Sequence, residues 1–149
     1  MPKDRPYRIF VSHAWHPNDD YTRLFEYLGD AKDFYYANLS TPDAPPSDTS
    51  RTGIEASLAR QIGPAEVVLI LGALYDTHKE LIELQMALAK KHARPLIGLR
   101  PSGSQVIPKA IEQRVNQVVV WSERTIVDAI KLLARGEETK RFEVIDFDG

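Results

Sequence analysis

The stretch Val67–His92, VVLILGALYDTHKELIELQMALAKKH, decides the fold. Its first residues, Val67–Leu71, form a continuous apolar run, the signature of a strand covered on both faces of a parallel sheet. After the turn the period changes. At about 100° per residue, with Gln85 set at zero, Leu81, Ile82, Leu88 and Ala89 fall within about 60° of it. Leu84 and Met86 lie near the edges of that face. Lys79, Glu80, Glu83, Lys90 and Lys91 fall opposite. The stretch therefore predicts a buried strand, a short turn and an amphipathic helix. Gln85 is the polar residue at the centre of the apolar face. A buried amide costs free energy unless its donors and acceptors are paired. Gln85 is thus either a satisfied structural residue or part of the wall of a ligand cleft. Glu83, about 160° away around the helix, is a solvated-face carboxylate. His78 and His92 lie on the Gln85 face, about two turns to either side.

Upstream, Tyr7–Ser12 is rich in β-branched and aromatic residues and reads as a strand. Pro17 breaks regular structure in the loop that follows, and Asn18 or Asp19 can cap the next helix. That helix carries Tyr21, Leu24, Phe25 and Leu28 at i, i+3, i+4, i+7, and Gly29 fits its stop. Phe34–Leu39 is a second strand. Ser40–Gly53 is rich in Pro, Ser and Asp and reads as a long loop, a form often used as a lid or binding loop. Ile54, Leu58 and Ile62 mark a helix. Downstream, Arg94–Leu99 and Gln117–Trp121 are strands, with a loop and short helix between them. Glu123–Ala134 is a helix with Ile126, Ala129, Ile130 and Leu133 on its inner face.

Strands alternating with helices imply a parallel sheet covered on both sides. Five such units suit a flavodoxin-like open five-stranded α/β sheet and not a closed barrel. Residues 1–135 form the domain, and 136–149 a charged tail in which Phe142–Phe147 is an edge strand or disordered. In this architecture ligands bind at the carboxyl ends of the strands. That edge carries His13, Trp15 and His16, the loop from Ser40, Ala73 and Tyr75, and the start of the Gln85 helix.

Composition excludes several classes. The net charge of −2 with both signs interspersed gives no basic surface for nucleic acid or membrane. The absence of cysteine removes disulfides, thiolate metal sites and a cysteine nucleophile. The opening MPKDRPYRIF lacks the apolar core of a signal peptide, and Val67–Leu71 is far too short to span a bilayer, so the expectation is a soluble, cytoplasmic protein. Neither glycine-rich phosphate motif is present, and the histidines lack metal-ligand spacing, so no metal is expected. A phospho-acceptor receiver domain would need an aspartate where this chain has Gly72 and Ala73.

RIFVSHAW, a strand ending in Ser before a polar and aromatic loop, resembles the first sequence box of TIR domains. More closely, VVLILGALYDTHKELIELQMALAKKHARPLIGLRPSG and the later VVVW resemble the TIR-like subfamily of bacterial Thoeris anti-phage systems. The resemblance spans roughly Tyr7 to Leu133. It implies an NAD+ nucleosidase or ADP-ribosyl cyclase with NAD+ as substrate and no separate cofactor. The product would be a cyclic ADP-ribose-like or related ADP-ribosyl signal that activates a downstream effector, and self-association through TIR contacts would accompany it. In that family the helix after the third strand carries a tryptophan and, four residues on, a catalytic glutamate. Here Leu81 and Gln85 stand at those positions. Breaking the nicotinamide–ribose bond builds oxocarbenium character on the ribose, which a carboxylate stabilises. Gln keeps the shape and loses the charge, a change worth on the order of 10²–10³ in rate. Gln85 is thus either a Glu-to-Gln replacement that silences an enzyme or the natural residue of a degenerate sensor or scaffold. The resemblance makes Gln85 the catalytic position, and Ser12, His13, Trp15 and Tyr75 the candidates for lining the pocket. Trp15 can instead cover the sheet edge, His13 can be a solvated loop residue, and Tyr75 can pack on the second loop. Asp19 and Asp20 read as helix caps and Trp121 as structural. The alternatives are a non-catalytic TIR assembly module and a nucleoside deoxyribosyltransferase-like enzyme.

Overall fold

The computed structural model describes residues 5–137. Its strands are β1 (Tyr7–Val11), β2 (Tyr36–Asn38), β3 (Val67–Leu71), β4 (Leu96–Leu99) and β5 (Gln117–Val119). They form one all-parallel sheet in the order β2-β1-β3-β4-β5. The helices are α1 (Asp19–Asp30), α2 (Arg51–Ile62), α3 (Lys79–Lys91), α4 (Lys109–Glu112) and α5 (Glu123–Arg135), with a 3-10 turn at Gly72–Leu74 before α3. Parallel crossovers are right-handed. The chain steps one way from β1 to β2 and the other way thereafter, so α2, α3 and α4 cover one face. α1 packs on α5 over the other. This is the flavodoxin-like arrangement that the alternation of elements predicts.

The core follows the apolar pattern. All five residues of β3 are fully buried, each such side chain contributing about 1.5–3 kcal/mol relative to exposure. Ile82, Gln85, Met86, Leu88 and Ala89 are the buried residues of α3, while Leu81 and Leu84 are half-buried. The projection therefore has the right face, turned slightly toward Met86. On α5, Ile126, Val127, Ala129 and Ile130 are buried, and the left-handed Gly136 (φ 69°) ends the helix.

The boundaries differ in ways that hydrogen bonding explains. The predicted strands Phe34–Leu39 and Gln117–Trp121 shorten to Tyr36–Asn38 and Gln117–Val119, both at the sheet edges with one neighbour, although Tyr35 O and Leu39 N still bond β1 at 2.9 and 2.8 Å. α2 starts three residues earlier than Ile54, at Arg51, where the Ser50 side chain accepts from Gly53 N at 3.2 Å. Gly29 does not stop α1, which runs on to Asp30 and ends at an extended Ala31. Neither Asp19 nor Asp20 caps that helix. Asn18 Oδ1 does, accepting from Asp20 N at 3.0 Å and Tyr21 N at 3.1 Å. The edge strand considered for Phe142–Phe147 lies outside the described residues.

At the amino edge of the sheet one residue ties the ends of the domain together. Arg135 Nε donates to Glu66 Oε2 at 2.8 Å, and its Nη2 donates to Glu66 Oε1 at 3.0 Å and to the Pro6 carbonyl at 3.1 Å. The guanidinium carbon lies 4.0 Å from the Tyr7 ring centroid. No helix among the described residues is long and apolar enough to cross a membrane.

Candidate functional site at the carboxyl edge

β1 delivers the loop Ser12–His16 to the carboxyl edge, and α3 rises beneath it. Gln85 joins the two. Its Nε2 donates to the His13 carbonyl at 2.7 Å, and its Oε1 accepts from His13 N at 3.3 Å. The side-chain amide thus engages both backbone groups of one residue. Gln85 is 0% exposed. Of the two readings left open above, this geometry is that of a satisfied buried amide and not of a cleft wall.

His13 is likewise buried, at 2% exposed, and not a solvated loop residue. Gln61 Oε1 accepts from Thr41 N at 2.9 Å, and Gln61 Nε2 donates to the Ser57 carbonyl at 3.2 Å. The Gln61 oxygen therefore faces His13 Nε2, 2.9 Å away, which must carry the proton. Nδ1 accepts from Trp15 N at 3.4 Å. His13 is held as a neutral Nε2–H tautomer that links the loop after β1 to the loop after β2. Burial pushes its pKa below the ordinary histidine value, against an opposing upward pull from the Gln61 bond. As pH falls below about 6.5, the unfolded chain takes up that proton first, so the stability associated with neutral His13 is lost on the acid side.

Ser12 is 0% exposed, and its hydroxyl accepts from Leu71 N at 2.8 Å. It therefore closes the β1–β3 junction and lines no open pocket. Trp15 keeps some exposure and stands edge-on to His13, with ring centroids 4.9 Å apart. Its φ of 58° is left-handed, a strained conformation for a bulky residue. Its indole Nε1 is buried without a partner. Tyr75 takes no part in the hydrogen bonds or ring contacts of this cluster. Its hydroxyl donates to Glu83 Oε2 at 2.6 Å, which raises the phenol's pKa. Glu83 is half-buried, with Arg114 Nη1 at 3.8 Å, so it is a paired carboxylate and not a freely solvated one.

An open cleft of about 710 Å³ lies at the same edge, between α1 and the loop after β2. Tyr21, Asn38 and Ser40 form its polar floor. The Tyr21 and Ser40 hydroxyls are 2.7 Å apart, Asn38 Nδ2 donates to Tyr21 at 3.0 Å, and the Ser40 hydroxyl bonds Asn38 Oδ1. Its carboxylates are Glu26 and Asp43. None of Ser12, His13, Trp15 and Tyr75 borders it. Gln61 and the Tyr21–Asn38–Ser40 group escaped the sequence reading. Gln61 was accessible to projection, because it lies about 60° from Leu58 on the apolar side of its helix. The hydroxyl cluster joins separate elements and leaves no periodic signal. Asp20 is buried and accepts from Ser102 N at 2.9 Å, holding the loop after β4 against α1. Trp121 is structural, its Nε1 donating to the Arg100 carbonyl at 2.7 Å. Among the described residues no group of three or more His, Asp or Glu side chains is placed to hold a metal ion.

No family model and no curated protein matches the chain. Among solved structures it is similar to a CMP N-glycosidase of Clostridium botulinum, with 11% identity, 84% of this chain and 98% of that chain covered, and a TM-score of 0.49. It is also similar to a 3-dehydroquinate dehydratase-like protein of Bifidobacterium longum, with 14% identity, coverage of 86% and 95%, and a TM-score of 0.43. Both are distant likenesses in the course of the backbone.

Proposed function

We propose that the chain is a TIR-like domain of the Thoeris type that takes an ADP-ribosyl nucleotide, NAD+ in the first instance, at the carboxyl edge of its sheet. The chemistry is cleavage of the nicotinamide–ribose bond, and the product is a diffusible ADP-ribosyl signal to an effector. The observation that carries a ligand site is Trp15. It combines a strained backbone with a buried, unpartnered indole donor, and both features cost free energy unless something compensates them. An aromatic ring and one hydrogen-bond donor suit a nucleobase or nicotinamide ring.

A second reading, a non-catalytic binding or assembly module, is favoured by Gln85. Its amide is engaged at both ends by His13 and is fully buried, so the position is closed to a ribose in this conformation.

The test is nicotinamide release from NAD+, with calorimetric binding alongside, for the parent chain and for Gln85→Glu. The expected outcome is binding that Trp15→Ala weakens, and a gain on the order of 10²–10³ in release for Gln85→Glu at pH values above the raised pKa of its buried carboxyl. Binding without release in either form would move the conclusion to the module. Cleavage of deoxynucleosides in place of NAD+ would point to a deoxyribosyltransferase.

A further inference from the structure

We infer that a second groove, on the outer flank of α3, is a docking surface for an acidic amphipathic helix of a protein partner. This inference is independent of the nucleotide site. α2 and α3 are 12 and 13 residues long, whereas α4, on the same face of the sheet, has only four. At about 1.5 Å per residue, α4 is about 6 Å long beside the ~20 Å of α3. The flank of α3 that faces α4 therefore lacks a helical neighbour over most of its length. A groove of about 890 Å³ occupies that place.

Its apolar surface comes from Leu84 and Ala87, one half-buried and one exposed, with Met86 and Leu96 behind them. Its charged rim is uneven. Arg51, Lys90, Arg94 and Arg114 border the groove against Glu80 and Glu83, and Glu83 already receives the Tyr75 hydroxyl and faces Arg114. A local excess of positive charge thus sits on a chain whose net charge is −2. Helix α3 spaces Glu83, Ala87 and Lys90 along one stripe, so the groove runs with the helix axis. A partner helix would place apolar residues at i, i+3, i+4 and i+7 on Leu84 and Ala87. Its acidic flanks would meet Lys90 and Arg114, adding to rate of association and specificity.

The test is selection from a display library of helical peptides against the whole chain, with amide chemical-shift mapping of the enriched peptides. Expected are acidic amphipathic sequences whose footprint covers Leu84, Ala87 and Lys90. Lys90→Glu and Arg114→Glu, both surface changes, should each weaken them at least about tenfold. Alanine at the same two positions should weaken them less, which separates charge pairing from damage to the fold. Enrichment of neutral or basic peptides, footprints elsewhere, or no enrichment would overturn the inference. So would ADP-ribose or inorganic polyphosphate shifting the same amides while no peptide does, since the groove would then be a small-anion site.

Discussion

Gln85 and His13 face each other as a donor–acceptor pair in both directions, and that pairing dictates what a charge at position 85 would do. In Gln85→Glu the donor to the His13 carbonyl becomes a second acceptor. A carboxylate there is both desolvated and repelled, so its folded-state pKa rises. A raised carboxyl pKa gives stability that is present at low pH and lost as pH rises. Above about pH 4.3 the unfolded chain ionises while the folded one does not, and the variant loses about 1.4 kcal/mol per pH unit until its folded-state pKa is reached. Denaturant titrations of both forms between pH 4 and 8 read this directly. Parallel profiles would mean a solvated carboxylate at position 85, and would return the residue to a cleft wall.

At the scale of elements, the end of β3 is the tightest junction. A Cβ on Gly72 would lie 2.8 Å from the Leu99 carbonyl oxygen and 3.0 Å from Pro101 Cδ. The first of these is backbone and cannot swing aside. Gly72→Ala is expected to cost about 1–3 kcal/mol, the range for overpacking, read as a lower urea midpoint at unchanged m-value. A loss under about 0.5 kcal/mol would show that β3 and β4 separate more freely than their register implies. β3 and α3 were legible because burial imposes a period on sequence. The paired parts of β2 and β5 were not, because edge pairing depends on a neighbour that local sequence does not name. The caps fell between these cases. Ser50 is a good cap residue inside a segment that composition alone makes a loop, and Asn18 wins over its acidic neighbours because its oxygen reaches two amides.

Across the whole molecule, the domain is closed where Arg135, from the last helix, meets Glu66, Pro6 and Tyr7. Arg135 holds the Glu66 carboxyl below its ordinary pKa. A depressed carboxyl pKa contributes stability that is present above the unfolded value, about 4.3, and is lost as pH falls through the folded one. Arg135→Met is expected to cost about 2 kcal/mol at pH 7, as charged hydrogen bonds do, and less at pH 3. Thermal melts at the two pH values check it, and an equal loss at both would assign the effect to packing on Tyr7 alone. The architecture was readable at this scale from the alternation of elements. The candidate site was readable only in part. Projection finds one polar residue in an apolar face, but whether that residue meets a ligand or a backbone depends on a loop 72 positions away.

That separation also sets an order of events. β1 is the first strand made and ends in the middle of the sheet, flanked by β2 and β3. A nascent chain that has emerged only as far as Leu71 already contains those three strands. By then Gln61 can already hold the His13 side chain, but the backbone groups of His13 have no partner until the ribosome has delivered Gln85 of α3, and contacts of such long sequence separation are the slow ones to form. The sheet thus precedes the shaped edge it carries. A chain arrested between β3 and α3 would have three strands of the scaffold without the finished carboxyl edge.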